Sequence, residues 1–180
     1  MTPTIAIEVP TAMLKAALIC ASTEKVRYYL NGVYVDPKGF LVSLDGTRMF
    51  CGKIDLEGVP EFDGWIICRD TLKRALTNYK AATMTISPNC VGNTLCQPIG
   101  APSGETAQFN PNYVADMGKI GDLLRGYGGG LSARIHHNGE APTAITFPDS
   151  RNAFAVLTPI RTSYTGNGEG VWAERRSMLD

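Results

Sequence analysis

Two adjacent histidines, His136 and His137, are the side chains in this sequence whose type most directly invites metal chemistry, because imidazole is the commonest metal ligand. They stand in LSARIHH, a segment that reads as a strand. Neighbouring strand residues point to opposite faces and cannot easily share one ion, so no metal site is expected. The glycine-rich run GYGGG, Gly126 to Gly130, resembles a phosphate-cradling loop in composition only. It follows a helix instead of leading from a strand into one, and so reads as a helix stop and a connection. Five cysteines (Cys20, Cys51, Cys68, Cys90 and Cys96) are odd in number, lack C-x-x-C spacing and sit mostly in apolar runs. That pattern fits free thiols in a reducing compartment. No Ser/His/Asp set, carboxylate pair or Cys/His pair stands at a recognisable spacing, so neither an enzyme nor a bound cofactor is expected.

The remaining chemistry is electrostatic. Lys73, Arg74, Thr77 and Lys80 fall opposite an apolar stripe made by Leu72, Ala75, Leu76 and Tyr79, so one short helix can turn a basic face to solvent while its other face packs. Arg69 and Lys15 extend the set. Phosphates are natural partners for such a face, and an ordinary solvated helix surface is the competing reading. A later helix carries Asp116 and Asp122 beside Lys119 and Arg125 and is neutral. Formal net charge is zero, from 17 basic and 17 acidic side chains, so any contact with nucleic acid must come from locally segregated charge.

The elements that must position these residues follow from periodicity. A strand at Thr4 to Glu8 leads into a helix over Pro10 to Ser22, with Met13, Leu14, Ala17, Leu18 and Ala21 at helical spacing. RYYLNGVYVD (Arg27 to Asp36) is aromatic and β-branched. It is followed by a type I turn at Asp36-Pro37-Lys38-Gly39, then FLVSL, the turn pair Asp45-Gly46, and RMFCGKIDL. The order strand, helix, three strands then begins again: GWIICR, a helix with Asp70 as its cap, TMTIS, and a strand near NTLCQP. The Pro/Gly/Ser-rich loop Pro98 to Gly104 cuts this second unit short. A third round opens with ETAQF. Asn110 then caps a helix that has Pro111 at its first position and Tyr113, Met117, Ile120 and Leu124 on one face. LSARIHH, the Asn138-Gly139 turn, TAITF, a turn at Pro148-Asp149 and AFAVLTPIR complete it.

These elements predict an α+β fold of βαβββ units, two full and one shortened. Residues 1–104 hold the first unit (1–60) and the shortened one (61–104), residues 105–161 form a half-domain, and residues 162–180 are a tail. The tail ends in VWAERRSML, which has the length of about two helical turns. At 180 residues and 44% apolar content the chain can bury its core without disulfides. The N-terminus lacks a secretion-type basic and apolar pattern, and no run approaches the roughly 18 apolar residues of a membrane span, so a cytoplasmic protein without membrane contact is expected.

RYYLNGVYVD followed by SLDGTRMF resembles the middle domain of the bacterial DNA polymerase III beta subunit, the DNA sliding clamp, whose pattern is RYYLNG then TDGHRLA. FNPNYVADM, followed by AFAVLTPIR, is similar to the last half-domain of the same family, with its FN-x-x-YV-x-D helix start and terminal VVMPMRL. The first match covers roughly residues 5–56, and segment 57–104 matches in element order alone. The resemblance implies a sliding-clamp fold and a non-catalytic, homo-oligomeric processivity factor whose ring encircles duplex DNA irrespective of sequence and tethers a polymerase. Its abbreviated length points to a phage or mobile-element replication system.

Under that resemblance Lys15, Arg69, Lys73, Arg74 and Lys80 are the candidate DNA-binding residues. A pocket for clamp-seeking peptides is implied at Leu30, Gly46, Arg48 and Met49, together with Asn110, Tyr113, Val156, Leu157, Pro159, Ile160 and Arg161. Such a pocket holds apolar anchors. The sequence departs from the family where Leu44 and Thr47 replace the Thr and His of TDGHRL, and where Thr158 replaces a Met. A module that keeps the fold without closing a ring, binding clamp-seeking peptides or a host clamp, is the alternative.

Overall fold

A computed structural model describes residues 5–24, 30–88, 103, 107–125, 133–148 and 150–160. The first strand, Ile7–Pro10 (β1), runs directly into helix Thr11–Cys20 (α1), where Pro10 fixes the entry and Thr11 is held by bonds from its N and Oγ1 to the carbonyls of Ala82 and Ala81, 2.8 and 2.7 Å long. Thr11, Met13, Leu14, Ala16, Ala17 and Cys20 of α1 are all buried. A helix apolar on so much of its circumference must be flanked on several sides, and this one is.

The flanks are supplied by strands Gly32–Asp36 (β2), Phe40–Leu44 (β3) and Arg48–Lys53 (β4) below α1, and by helices Arg69–Leu76 (α2) and Pro111–Leu124 (α3) beside it. Strand Trp65–Cys68 (β5) precedes α2. Strand Thr83–Ile86 (β6) follows it and pairs with β1 in a separate two-stranded ribbon. Arg134–His136 (β7), Thr143–Phe147 (β8) and Ser150–Leu157 (β9) complete the strands among the described residues. Seven of them form one antiparallel sheet in the order β5-β2-β3-β4-β9-β8-β7. The first and third rounds of the sequence are therefore joined by hydrogen bonds between β4 and β9, in register from Arg48↔Leu157 to Gly52↔Ala153.

All three helices lie on one face of this sheet: α1 over β2, β3 and β4, α2 over β2 and β5, and α3 over β8 and β9. One core fills the space between, built on Leu14, Val33, Leu41, Phe50, Trp65, Leu72, Met117, Ile120, Ile145 and Leu157. Gly52 permits the close approach of α1, because a Cβ there would lie 2.7 Å from the sulfur of Met13. Ser43, buried beneath α1, donates to the carbonyl of Ala17 at 2.6 Å and so leaves no unmet hydroxyl in the core.

The turns are those the sequence specified. Gly39 N donates to the carbonyl of Asp36 at 3.0 Å, and the Asp45-Gly46 pair closes the β3–β4 hairpin with Gly46 at φ 95°. Asn110 caps α3 by accepting from Asn112 N at 3.0 Å, with Pro111 at the first position. Asp70, however, does not cap α2. The helix starts at Arg69 because β5 leads into it without an intervening loop, and Cys68 stands at the cap with no side-chain bond. Ala75 is exposed and Tyr79 lies beyond the helix, leaving Leu72 and Leu76 as the buried residues of α2. Of the expected strand ETAQF, the described residues 107–109 contribute a single bridge, Gln108 to Ile160. Cys20, Cys51 and Cys68 are free thiols, the first two buried and the third exposed. The NTLCQP strand, the Pro98 loop apart from Ser103, Cys90, Cys96, GYGGG, the 162–180 tail and Arg27 to Tyr29 lie outside the described residues.

Candidate functional site

Arg48 stands where the first and third rounds meet. At the start of β4, its Nε and Nη2 donate to the carboxylate of Asp45 at 2.9 and 2.6 Å, and its Nη1 donates to Asp116 on α3. The guanidinium also stacks over the ring of Tyr113, 4.6 Å from its centroid. Burial opposes the charge on Arg48, but the hydrogen bond and charge of Asp45, with the fields of Cys20 and Asp116, outweigh it and hold the guanidinium above its ordinary range. Asp116 is shared with Lys119, whose Nζ donates to it at 2.7 Å. One arginine thus ties a hairpin to a helix from a distant part of the chain.

Beside this node lies an open cleft of about 460 Å³, lined by Gly46, Arg48 and Tyr113 together with Asp45, Thr47, Arg69 and residues 19 and 21–24. Its lining is chiefly polar. Of the residues proposed for a peptide pocket, the structure brings Gly46, Arg48 and Tyr113 to this cleft. Asn110 serves as the cap of α3. Leu30, Val156, Leu157 and Pro159 are buried and present no surface. Met49 pairs with Val156 and is half-buried, Ile160 is exposed, and Arg161 lies outside the described residues. The two halves of the set do meet, since Arg48 is opposite Leu157 and Thr158 N donates to the carbonyl of Thr47 at 2.9 Å. Four of their apolar members, Leu30, Val156, Leu157 and Pro159, are buried, which leaves the open part polar.

A second groove of about 480 Å³ opens elsewhere, between Pro37 of the β2–β3 turn and Leu56, Val59, Pro60 and Phe62 of the loop after β4. The helical face carries a groove of about 410 Å³ along α1, floored by Leu18 and Ile19 and walled by Arg48, Arg69, Lys73, Asp116 and Lys119. Arg69 and Lys73 of the proposed DNA-binding set line it together. Lys15 precedes Leu18 and Ile19 by three and four residues and shares their side of α1. Arg74 is exposed, with its Nε 3.4 Å from the carbonyl of Asp70, and Lys80 is exposed past the helix end. Lys119 was missed by sequence reading because the adjacent aspartates made its helix look neutral. Asp116 is shared between Arg48 and Lys119, and the Lys119 side chain stands 66% exposed at the groove.

Arg69 carries a second feature. Its Nε is buried without a hydrogen-bond partner, as is Oδ1 of the neighbouring Asn31, whose carbonyl accepts from Arg69 N at 3.1 Å. His136 Nε2 is 2.8 Å from Thr146 Oγ1, and His137 lies against Phe109, so the two imidazoles are engaged separately. Among the described residues, no three His, Cys, Asp or Glu side chains gather as metal ligands would, and no helix is long and apolar enough to cross a membrane.

No protein-family model matches the chain, and no curated protein matches its sequence. Solved structures do match. A beta sliding clamp of Caulobacter crescentus superposes with a TM-score of 0.60 at 18% identity, over 87% of this chain and 65% of that one. The DNA polymerase III beta subunit of Thermotoga maritima gives 0.60 at 14%, over 89% and 67%. The beta subunit from the DNA polymerase of Streptococcus pyogenes gives 0.62 at 13%, over 90% and 67%. This chain therefore spans about two thirds of the length of those clamps, and its α+β architecture is the sliding-clamp fold.

Proposed function

We propose that this chain is a non-catalytic, sliding-clamp-like processivity factor that closes as a homo-oligomeric ring around duplex DNA and tethers a polymerase or another replication protein. The observation that carries this reading is the layering: three helices side by side on one face of a continuous antiparallel sheet, with Arg69, Lys73 and Lys119 along a groove on the helical side. Facing a duplex, such a surface meets phosphates without reading bases, and its binding weakens steeply with salt. The sheet ends in β5 on one side and β7 on the other. Among the described residues neither outer edge has a ladder partner, and edges of this kind extend by pairing with another chain. Rings of the resembled family hold about twelve βαβββ units, so three units per chain favour four chains over three, following the preference for closed cyclic symmetry. The domain boundaries near residues 104 and 161, a cytoplasmic site of action and an origin in a phage or mobile-element replication system belong to the same proposal.

Retention on DNA tests it. A ring held by topology stays on a nicked circle and runs off the linear form, so loss from linear DNA alone supports the proposal and equal loss from both defeats it. Native mass measurement gives the number of chains, and a strict monomer at micromolar concentration counts against the ring. The polar cleft at Gly46, Arg48 and Tyr113 favours one alternative, an interaction module that binds partner peptides without closing. That module would bind peptide with no preference for circular DNA.

A further inference from the structure

Acidic side chains are gathered on one loop of this protein. Between β4 and β5 the chain reads IDLEGVPEFDG, with Asp55, Glu57, Glu61 and Asp63 and no basic residue among them. All four are exposed, and none forms an ion pair among the described residues. The neighbouring charges are Asp36 and Lys38 on the β2–β3 turn and Lys53 at the end of β4, so carboxylates outnumber ammoniums by five to two. On a chain of zero formal net charge this is a local excess of one sign.

The groove of about 480 Å³ at Pro37, Leu56, Val59, Pro60 and Phe62 opens within this charge, with Glu61 in its lining. Leu56, Val59 and Phe62 are half-buried, packing against the core while still lining the groove. Its walls are held in place. Ile54 N donates to the carbonyl of Gly39 at 2.9 Å, and Val59 N donates to the carbonyl of Leu56 at 3.0 Å, with Gly58 at φ 72° in the turn between. Glu57 N donates to Asp55 Oδ1 at 2.9 Å, and the ring of Phe62 stands edge-on to Trp65 with centroids 4.8 Å apart. Pro37 and Pro60 restrict the backbone further. A groove held in this way asks little ordering of itself when it is filled.

The order of residues along the loop says what fills it. Leu56 stands between Asp55 and Glu57, and Phe62 between Glu61 and Asp63, so each apolar side chain has a carboxylate on either side. Among the described residues no three carboxylates gather as metal ligands would, so the charge is spread along the groove and suits a spread partner better than a single ion. The place is also distinct from the polar cleft at Arg48. That cleft opens at the Asp45-Gly46 end of β3 and this groove at the Asp36–Gly39 end, roughly 17 Å away along a five-residue strand.

We propose that the groove between the β2–β3 turn and the loop after β4 docks a basic peptide segment of a partner protein, one that carries Lys or Arg on both sides of an apolar anchor. The anchor lies against Leu56, Val59 and Phe62, and the basic side chains reach the carboxylates on either side. This goes beyond the ring reading and holds whether or not a ring forms.

The test follows fluorescence anisotropy of a labelled peptide Lys-Arg-Leu-Phe-Arg-Lys titrated with the full chain and with Glu57→Gln/Glu61→Gln. Two further peptides serve as controls: Glu-Asp-Leu-Phe-Asp-Glu reverses the charge, and Lys-Arg-Ser-Ser-Arg-Lys removes the anchor. Both substituted residues are exposed, so the variant keeps its fold, which its unfolding midpoint checks. The expected result is saturable binding of the first peptide to the full chain, weakened about 5-fold or more in the variant, with both control peptides binding more weakly still. Absence of binding overturns the proposal, as does equal binding of the acidic peptide or equal affinity in the variant. A native mass that falls in the variant overturns it too, since the occupant would then be a second copy of this chain.

Discussion

The seam where β4 meets β9 and the unit built on α2 solve the same problem, a helix on a sheet, with different investments. At the seam, β4 and β9 are in register over five residue pairs, α1 and α3 pack side by side, and Arg48 links Asp45, Asp116 and Tyr113. Met117 and Ile120 of α3 are buried against it. The α2 unit has an eight-residue helix with no side-chain cap, two buried residues, and a following strand that leaves the main sheet to pair with β1. The contrast implies that the seam holds the fold together, while α2 has surface to offer a partner at small cost to stability.

Removing side-chain volume at the seam should therefore have the largest effect. Phe50 is fully buried in β4, and Phe50→Ala should lose about 3–5 kcal/mol, whereas Leu72→Ala, beneath the short α2, should sit near the low end of the range for such truncations, about 2 kcal/mol. Urea unfolding of both variants checks this, and a Leu72→Ala loss equal to that of Phe50→Ala would erase the contrast.

Cys20 sharpens it by pH. Burial pushes this thiol up from 9.0 to about 12, against the field of Arg48 and with those of Asp45 and Asp116. The unfolded chain thus releases the proton first, so the folded state loses stability as pH rises from about 9 towards 12, by up to about 1.4 kcal/mol per pH unit. Cys20→Ala should flatten that part of the alkaline stability curve relative to the parent, and parallel curves for the two would show that the seam does not desolvate the thiol.

Arg48→Ala comes next. Asp45 and Asp116 are 14% and 19% exposed, so the carboxylates left behind are partly solvated, and the loss should be about 1–3 kcal/mol. Arg48→Lys should recover only part of it, since an ammonium cannot hold two carboxylates in a planar fork and stack on Tyr113. Full recovery by lysine would reduce the node to simple charge pairing.

Much of this was legible in the sequence where local chemistry decides. The Asp45-Gly46 hairpin, the Asp36 to Gly39 turn and the Asn110-Pro111 helix start each depend on a few adjacent residues, and each formed as read. What local patterns could not supply was partnership at long range. Nothing near residues 83–86 says that this strand joins β1, and nothing near Arg48 says that an aspartate 68 positions away will hold it. The peptide-pocket set shows the same limit. Val156 and Leu157 alternate as a strand should, but their burial is set by β4 and the layers around it. Asp70 was misplaced as a cap because the strand runs into the helix with no loop for a cap to occupy.

The smallest effect on stability should come from the basic face of α2. Lys73 and Arg74 are exposed, and among the bonds described neither side chain bonds a residue outside its own helix. Lys73→Ala/Arg74→Ala should therefore shift unfolding by no more than about 0.5 kcal/mol. If the helical face meets duplex phosphates, the same variant should flatten the dependence of log affinity on log salt by about 0.9 per lost contact, that is by about 1 to 2 for the pair. An unchanged salt slope would remove Lys73 and Arg74 from the DNA-facing surface and leave Lys15, Arg69 and Lys119 to carry it. A stability loss above about 1 kcal/mol would instead break the comparison between seam and α2, because it would mean that the short helix depends on these two side chains for its own packing.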